Sequence, residues 1–177
     1  TMLLLMVAFV LPVVLAKMAL EGDWFNKAAT NKGELLQTPL DFSIVYPQRE
    51  PKWYLTYISD KPCDVKCELA VYSLNQIWIA LGKEQDRVST AVLFTDANQI
   101  EVAKNQLEHD ILNFDTVKHE DMERMFQNQS NNGIFIVDAL GNLILRYPLH
   151  EEKQQAVLKS RDILADIRKL LKLSRIG

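Results

Sequence analysis

The sequence has only two cysteines among 177 residues, and they stand four positions apart at Cys63 and Cys67. It lacks a basic stripe or an interleaving of basic and aromatic residues. The formal net charge is −3, with both signs well mixed. Nucleic acid is therefore discounted as a partner. No internal repeat and no low-complexity tract is present. Nothing charged precedes Met2, so the positive-inside rule assigns no orientation to the apolar run that starts there.

That run extends unbroken from Met2 to Ala16, with Pro12 inside it. Lys17 interrupts it, and Met18-Ala-Leu20 continues. It is short for a full span of about 20 residues. Lys17 can snorkel, and Trp24-Phe25 would sit at the interface as an aromatic belt. Residues 1–20 are therefore expected to be a transmembrane anchor. A cleaved signal peptide, with small residues at Ala16 and Ala19, and a buried core helix are the two other readings. The remaining residues, roughly 150, suit a single domain with a sizeable core.

Residues 21–52 read as a connector punctuated by Asn26, Asn31, Gly33, Pro39, Pro47 and Pro51, with Asp41-Phe-Ser-Ile-Val-Tyr46 as a short extra strand. From Trp53 strand and helix alternate. Residues 53–59 read as a strand. Over 63–81, Cys67, Val71, Leu74, Trp78 and Leu81 recur at helical spacing, with Gly82 as the C-cap. Residues 88–94 form a continuous apolar run, as in a strand buried on both faces. Helices are expected over 97–107 and 119–127, with a weak strand at 114–117 between them. Residues 133–138 and 143–147 flank Leu140-Gly-Asn142 as a hairpin. An amphipathic helix closes the chain over 151–173, its apolar face made by Val157, Ile163, Leu164, Ile167, Leu170 and Leu171. A βαβ half followed by a hairpin and a closing helix is the order of a thioredoxin-like fold. The class is α/β, a thioredoxin-like central sheet flanked by helices over 53–177, preceded by one N-terminal transmembrane helix.

Cys63-Asp-Val-Lys-Cys67 follows the first strand and opens a helix. A helix N-terminus favours thiolate, and two thiolates can hold a soft cation or join as a disulfide. The bland alternative is a structural bridge or two quiet thiols. A five-residue ring adds little stability by loop entropy, which favours a chemical role. Cys63, nearest the helix end, is the candidate nucleophile. Lys61 and Lys66 favour its thiolate, while Asp60, Asp64 and Glu68 oppose it. Asp96 ends a buried strand at the same sheet edge. It either caps the next helix or polarises a thiol or metal ligand. Asp138 reads as a turn former before Gly141. His109, His119 and His150 read as surface residues, and Trp53 and Trp78 as core.

With these motifs in place, the chain resembles the Sco/SenC group of thioredoxin-like proteins. The likeness rests on Cys63-Asp-Val-Lys-Cys67, on Leu74-Asn-Gln-Ile-Trp-Ile-Ala-Leu-Gly82 with Asp86-Arg-Val88, on Phe94-Thr-Asp96, and on Ile134-Phe-Ile-Val-Asp138 with Gly141-Asn-Leu143. More closely it resembles a bacterial family of single-pass thioredoxin-like proteins associated with cytochrome c oxidase, through Asn31-Lys-Gly-Glu-Leu35, Asp138-Ala-Leu-Gly-Asn142 and Ser174-Arg-Ile-Gly177. That likeness implies a natural C-terminus at Gly177. It also implies a bacterial inner-membrane protein with its C-terminal domain in the periplasm, where a cysteine pair can persist oxidised. Its role would be in cytochrome c oxidase biogenesis, its partner an oxidase subunit or assembly factor, and its work thiol reduction or transient copper delivery by Cys63 and Cys67.

The departures matter as much. The group's third copper ligand, a histidine before the hairpin, falls here at Ser130 or Gln129, neither of which replaces imidazole. No Trp precedes Cys63, no proline precedes Gly133, and Asp60 stands where a peroxidatic cysteine would have Thr. A general membrane-tethered thiol-disulfide oxidoreductase and a non-catalytic binding module with a structural disulfide are the alternatives.

Overall fold

The structure, a computed structural model, describes residues 2–21, 31–105, 111–127 and 129–176. The chain divides into two compact units, 1–30 and 31–177. In the first, Met2–Glu21 forms one helix, α1, with Pro12 inside it. The side chains described in α1, those of 7–18, are exposed. Among the described residues no helix is long and apolar enough to cross a membrane. Trp24-Phe25 and His109 lie outside the described residues.

The second unit is built on one six-stranded sheet. Its strands are β1 (Glu34–Asp41), β2 (Trp53–Ser59), β3 (Val88–Phe94), β4 (Phe114–Thr116), β5 (Ile134–Val137) and β6 (Asn142–Tyr147). They lie in the order β1-β6-β5-β2-β3-β4. β2, β3 and β4 run parallel, while β5 and β1 are antiparallel to their neighbours β2 and β6. The helices are α2 (Val65–Leu81), α3 (Asn98–Lys104), α4 (His119–Phe126) and α5 (Lys153–Leu173).

Strand geometry sorts the core into two layers, because alternate residues face opposite sides of a sheet. Trp53, Leu55 and Tyr57 of β2, with Val88, Val92, Ile134 and Ile136, pack under α2 and α5. Tyr54 and Ile58, with Ala91, Leu93, Phe135 and Val137, pack against α4 and Phe42. Every residue of β2 is buried, the polar Thr56 and Ser59 included, as its central position requires.

Two expectations are corrected here. The stretch 21–52 is more than a connector, since Glu34–Asp41 is an edge strand paired with β6. Of the stretch 41–46 only Asp41 lies in a strand, as the last residue of β1. Its carboxylate accepts the Ser43 N–H at 2.9 Å and caps a 3-10 turn over Phe42–Ile44. Such an Asp-led cap competes locally with strand pairing. β1 is poorly marked in sequence because of its place. It is an edge strand with Leu40 alone buried. Pro39 is tolerated because the register is irregular between Leu35 and Leu40.

A buried carboxylate that periodicity does not mark closes the fold. Asp166 of α5 is 2% exposed. It accepts the Lys32 N–H at 2.6 Å, the Gly33 N–H at 2.9 Å and the Tyr147 hydroxyl at 2.7 Å. It thereby ties the lead into β1 to β6 and α5. Gly33 has to be glycine here, because a Cβ would lie 2.5 Å from the Tyr147 ring.

Candidate functional site

β2 ends at Ser59, and the chain turns through Asp60-Lys-Pro62 into the helix carrying the cysteines. α2 begins at Val65, later than the helical spacing over 63–81 suggests. The reason is Asp64, which has extended backbone angles (φ −105°, ψ −174°) and whose Oδ1 accepts the Cys67 N–H at 3.0 Å. This is an N-cap, which satisfies one of the donors a helix leaves unpaired. The cap leaves Cys63 in the loop and Cys67 in the first turn. Their Cα atoms are 5.1 Å apart and the sulfurs are joined in a disulfide. Cys67 is 1% exposed and belongs to the core, whereas Cys63 is half-buried at its edge. Cys63 is thus the more exposed of the two bridged residues.

The loops around this bridge come from one end of the sheet. Register pairs Tyr57 at the end of β2 with Val92 and with Ile134, and Ile134 with Tyr147. The β2–α2, β3–α3, α4–β5 and β6–α5 loops thus share one pole. A cleft of about 130 Å³ opens beside the bridge, with Asp60, Pro62, Asp64, Lys66, Asn131 and Leu149 among its walls.

From β3–α3, Gln99 Oε1 accepts the Cys63 N–H at 2.8 Å. Asp96 Oδ1 accepts the Asn98 N–H at 3.0 Å, and its other oxygen accepts from Gln99 Nε2 at 3.4 Å. Asp96 therefore caps the turn into α3, as one of its two readings anticipated, and also orients the glutamine that holds Cys63. The Asn98 N–H and the Gln99 amide hold its carboxyl below the ordinary range. Gln99 is a site residue that sequence reasoning missed. The signal was its position three residues after Asp96, at the end of a buried parallel strand.

The two positions where the resemblance would place the group's histidine bond to other parts of the fold. Gln129 donates to the Thr38 carbonyl on β1 at 3.4 Å, and Ser130 Oγ accepts from Arg146 at 3.3 Å. Asn131 is the residue of this loop that reaches the β2–α2 turn, donating to Asp60 Oδ1 at 3.4 Å. Among the described residues no group of three or more His, Cys, Asp and Glu comes together as metal ligands. His119 pairs with Glu123 on the surface of α4 at 3.3 Å. His150 lines a small cavity between α2 and α5. Lys66, expected to favour the Cys63 thiolate, forms a 3.0 Å ion pair with Glu151. Asp138 is the turn former predicted, accepting the Asn142 N–H at 2.8 Å around Gly141 (φ +99°). Trp53 is buried, while Trp78 is only half-buried, its place in the core taken by Ala70, Ser73 and Ile77.

A mixed sheet between helical layers, with a bridged cysteine pair where the first parallel strand meets its helix, defines a thioredoxin-like domain with a redox-capable pair. The chain belongs to the transmembrane-like, thioredoxin-like, C-terminal domain family, whose model matches residues 53–174, more than half of the sequence. The match starts at Trp53, leaving β1 outside it.

Among solved structures, the chain is similar to the apo Sco1 protein from Thermus thermophilus. The TM-score is 0.56 at 18% identity, over 79% of this chain and 96% of that one. A SCO1/SenC family lipoprotein from Bacillus anthracis gives 0.51 at 11% identity, over 78% and 95%. BsSco, a member of the Sco family of cytochrome c oxidase assembly proteins with a disulfide switch, gives 0.50 at 12% identity, over 81% and 98%. At these identities the likeness is one of fold, and it agrees with the Sco/SenC resemblance carried by the motifs. No curated protein matches the chain by sequence.

Proposed function

We propose that this protein is a membrane-anchored accessory in cytochrome c oxidase biogenesis that works through the Cys63/Cys67 dithiol. The observation that carries this reading is the asymmetry of the bridge. Cys63 is half-buried in the loop and Cys67 is buried in the first turn of α2, and the neighbouring residues Pro62 and Asp64 line a cleft bounded by the facing loops. This arrangement suits thiol exchange, in which a partner's thiolate attacks the sulfur of the more exposed Cys63 and that of Cys67 leaves. The Sco-type neighbours support the choice of target. The family description and the apolar character of α1 support an anchor at residues 1–20; a periplasmic sheet domain on a bacterial inner membrane is the placement this role requires, since a cysteine pair persists oxidised there.

Transient copper delivery is the second role of the same pair. Two thiolates at one helix end suit Cu(I), and a partner's ligand would complete the coordination. The deciding experiment uses the full chain in mild detergent. The reduced protein is titrated with Cu(I) against a chromophoric chelator, beside the Cys63→Ser/Cys67→Ser double variant. In parallel, oxidase activity is measured in cells carrying only that variant. Lost oxidase activity together with competitive, cysteine-dependent Cu(I) binding supports delivery. Lost activity without binding supports thiol reduction. Full oxidase activity in the variant overturns a chemical role and leaves a binding module.

A further inference from the structure

We infer that Asp64 controls how readily the Cys63–Cys67 bridge opens, acting as an electrostatic brake on thiol exchange at this site. The inference rests on the thiol reading above. When a thiolate attacks the Cys63 sulfur, a new S–S bond forms to Cys63 and the Cys63–Cys67 bond breaks. The electron pair leaves on the Cys67 sulfur, which then takes a proton from solvent. If the attacker is a dithiol, its second thiolate displaces Cys63 from the mixed disulfide. The attacker is then oxidised by two electrons and the Cys63/Cys67 pair is reduced.

Negative charge thus develops on Cys67, in the first turn of α2. A helix N-terminus ordinarily stabilises such charge through its unpaired N–H groups. Here the Cys67 N–H is already donated to the Asp64 carboxylate, 3.0 Å away. The N–H of Cys63 is likewise engaged, by Gln99. The group capping this helix end therefore carries the same sign of charge as the leaving sulfur. Of the nearby lysines, Lys66 feels Asp64 but makes its ion pair with Glu151, 3.0 Å away. Burial of Cys67 limits how far water can offset the repulsion. A fast partner is one that brings positive charge to Asp64 along with its attacking thiol.

The test is the rate at which excess dithiothreitol opens the bridge in the full chain, followed by quenching and counting thiols. Asp64→Asn keeps an oxygen able to accept the Cys67 N–H and removes the charge. It should open about three- to tenfold faster at low salt, as expected for one partly solvated charge near a reacting atom. The difference should shrink in about 1 M salt, where screening reaches about 3 Å. Asp60→Asn, in the same cleft but bonded to Asn131, should accelerate opening less. The inference is overturned if Asp64→Asn opens at the parent's rate, or if Asp60→Asn accelerates it equally. It is also overturned if Asp64→Ala alone is fast, since the cap and not the charge would then matter. A bridge that dithiothreitol opens in none of these proteins overturns the thiol reading itself, and this inference with it.

Discussion

Reducing the bridge should weaken this domain only modestly, and the expected size follows from the ring the bridge closes. Cys63 and Cys67 are four positions apart, so the closed segment holds five residues. The chain-entropy relation for such a ring gives about 7 cal/mol/K, or about 2 kcal/mol at 25 °C. Little else is lost on opening. Cys67 is packed among Val71, Leu74 and other residues of the α2 core layer, and a free thiol there remains a small apolar group. The Asp64 cap does not depend on the sulfurs.

Against a domain stability of about 5–15 kcal/mol, the reduced form stays folded. Urea denaturation of the full chain with and without a phosphine reductant measures the difference. The midpoint should fall by about 1 M with an unchanged slope, for a slope near 2 kcal/mol/M. The corresponding thermal shift is about 4–8 °C. Loss of more than about 5 kcal/mol, or unfolding on reduction, would refute the reasoning. The bridge would then be a structural staple, and no folded dithiol would exist to do chemistry.

Asp166→Ala should cost about 3–5 kcal/mol by chemical denaturation, because it strands the buried Tyr147 hydroxyl and Gly33 N–H; a loss below about 1 kcal/mol would show that water replaces the carboxylate. Burial and the neighbouring Asp166 push the Tyr147 hydroxyl above the usual tyrosine range. Its contribution is therefore fully present below about pH 10 and is lost as pH rises through its raised folded value, so ultraviolet titration should show this phenol ionising only as the protein unfolds. Asp96 has the opposite sign. Its lowered carboxyl supports stability above about pH 4 and loses that support as pH falls through its depressed folded value, a titration that carbon-detected NMR of the side chain can follow. Gly141→Ala should destabilise the hairpin by about 1–3 kcal/mol. The residue has φ +99° and a Cβ there meets the Arg49 guanidinium, which is bonded to the Ala139 and Leu140 carbonyls. An unchanged melting temperature would contradict that.

Periodicity and short motifs were enough for every element whose burial is nearly uniform. β2 and β3 span 53–59 and 88–94 as read, because central parallel strands are apolar on both faces. The hairpin and the closing helix follow from the Asp138–Gly141 turn chemistry and the apolar stripe of α5. CxxxC at the join of strand and helix was legible for the same reason, since its meaning comes from local order. β1 was not legible, since an edge strand needs little apolar pattern and derives its pairing from β6, more than a hundred positions away in the chain.

The sequence by itself determined the alternation of strand and helix, the location of the cysteine pair and the lack of a histidine before the hairpin. These are local properties of composition and spacing. Only the tertiary structure decided that Cys67 is buried while Cys63 is half-buried. It also decided that Gln99 and Asp64 occupy their N–H groups, that Lys66 pairs with Glu151, and that Asp166 receives Lys32, Gly33 and Tyr147. Most of these contacts join residues far apart in sequence, and the Asp64 cap is decided by where α2 begins. They form because the sheet brings four loops to one pole and lays α5 against the chain leading into β1, and no local period encodes that juxtaposition.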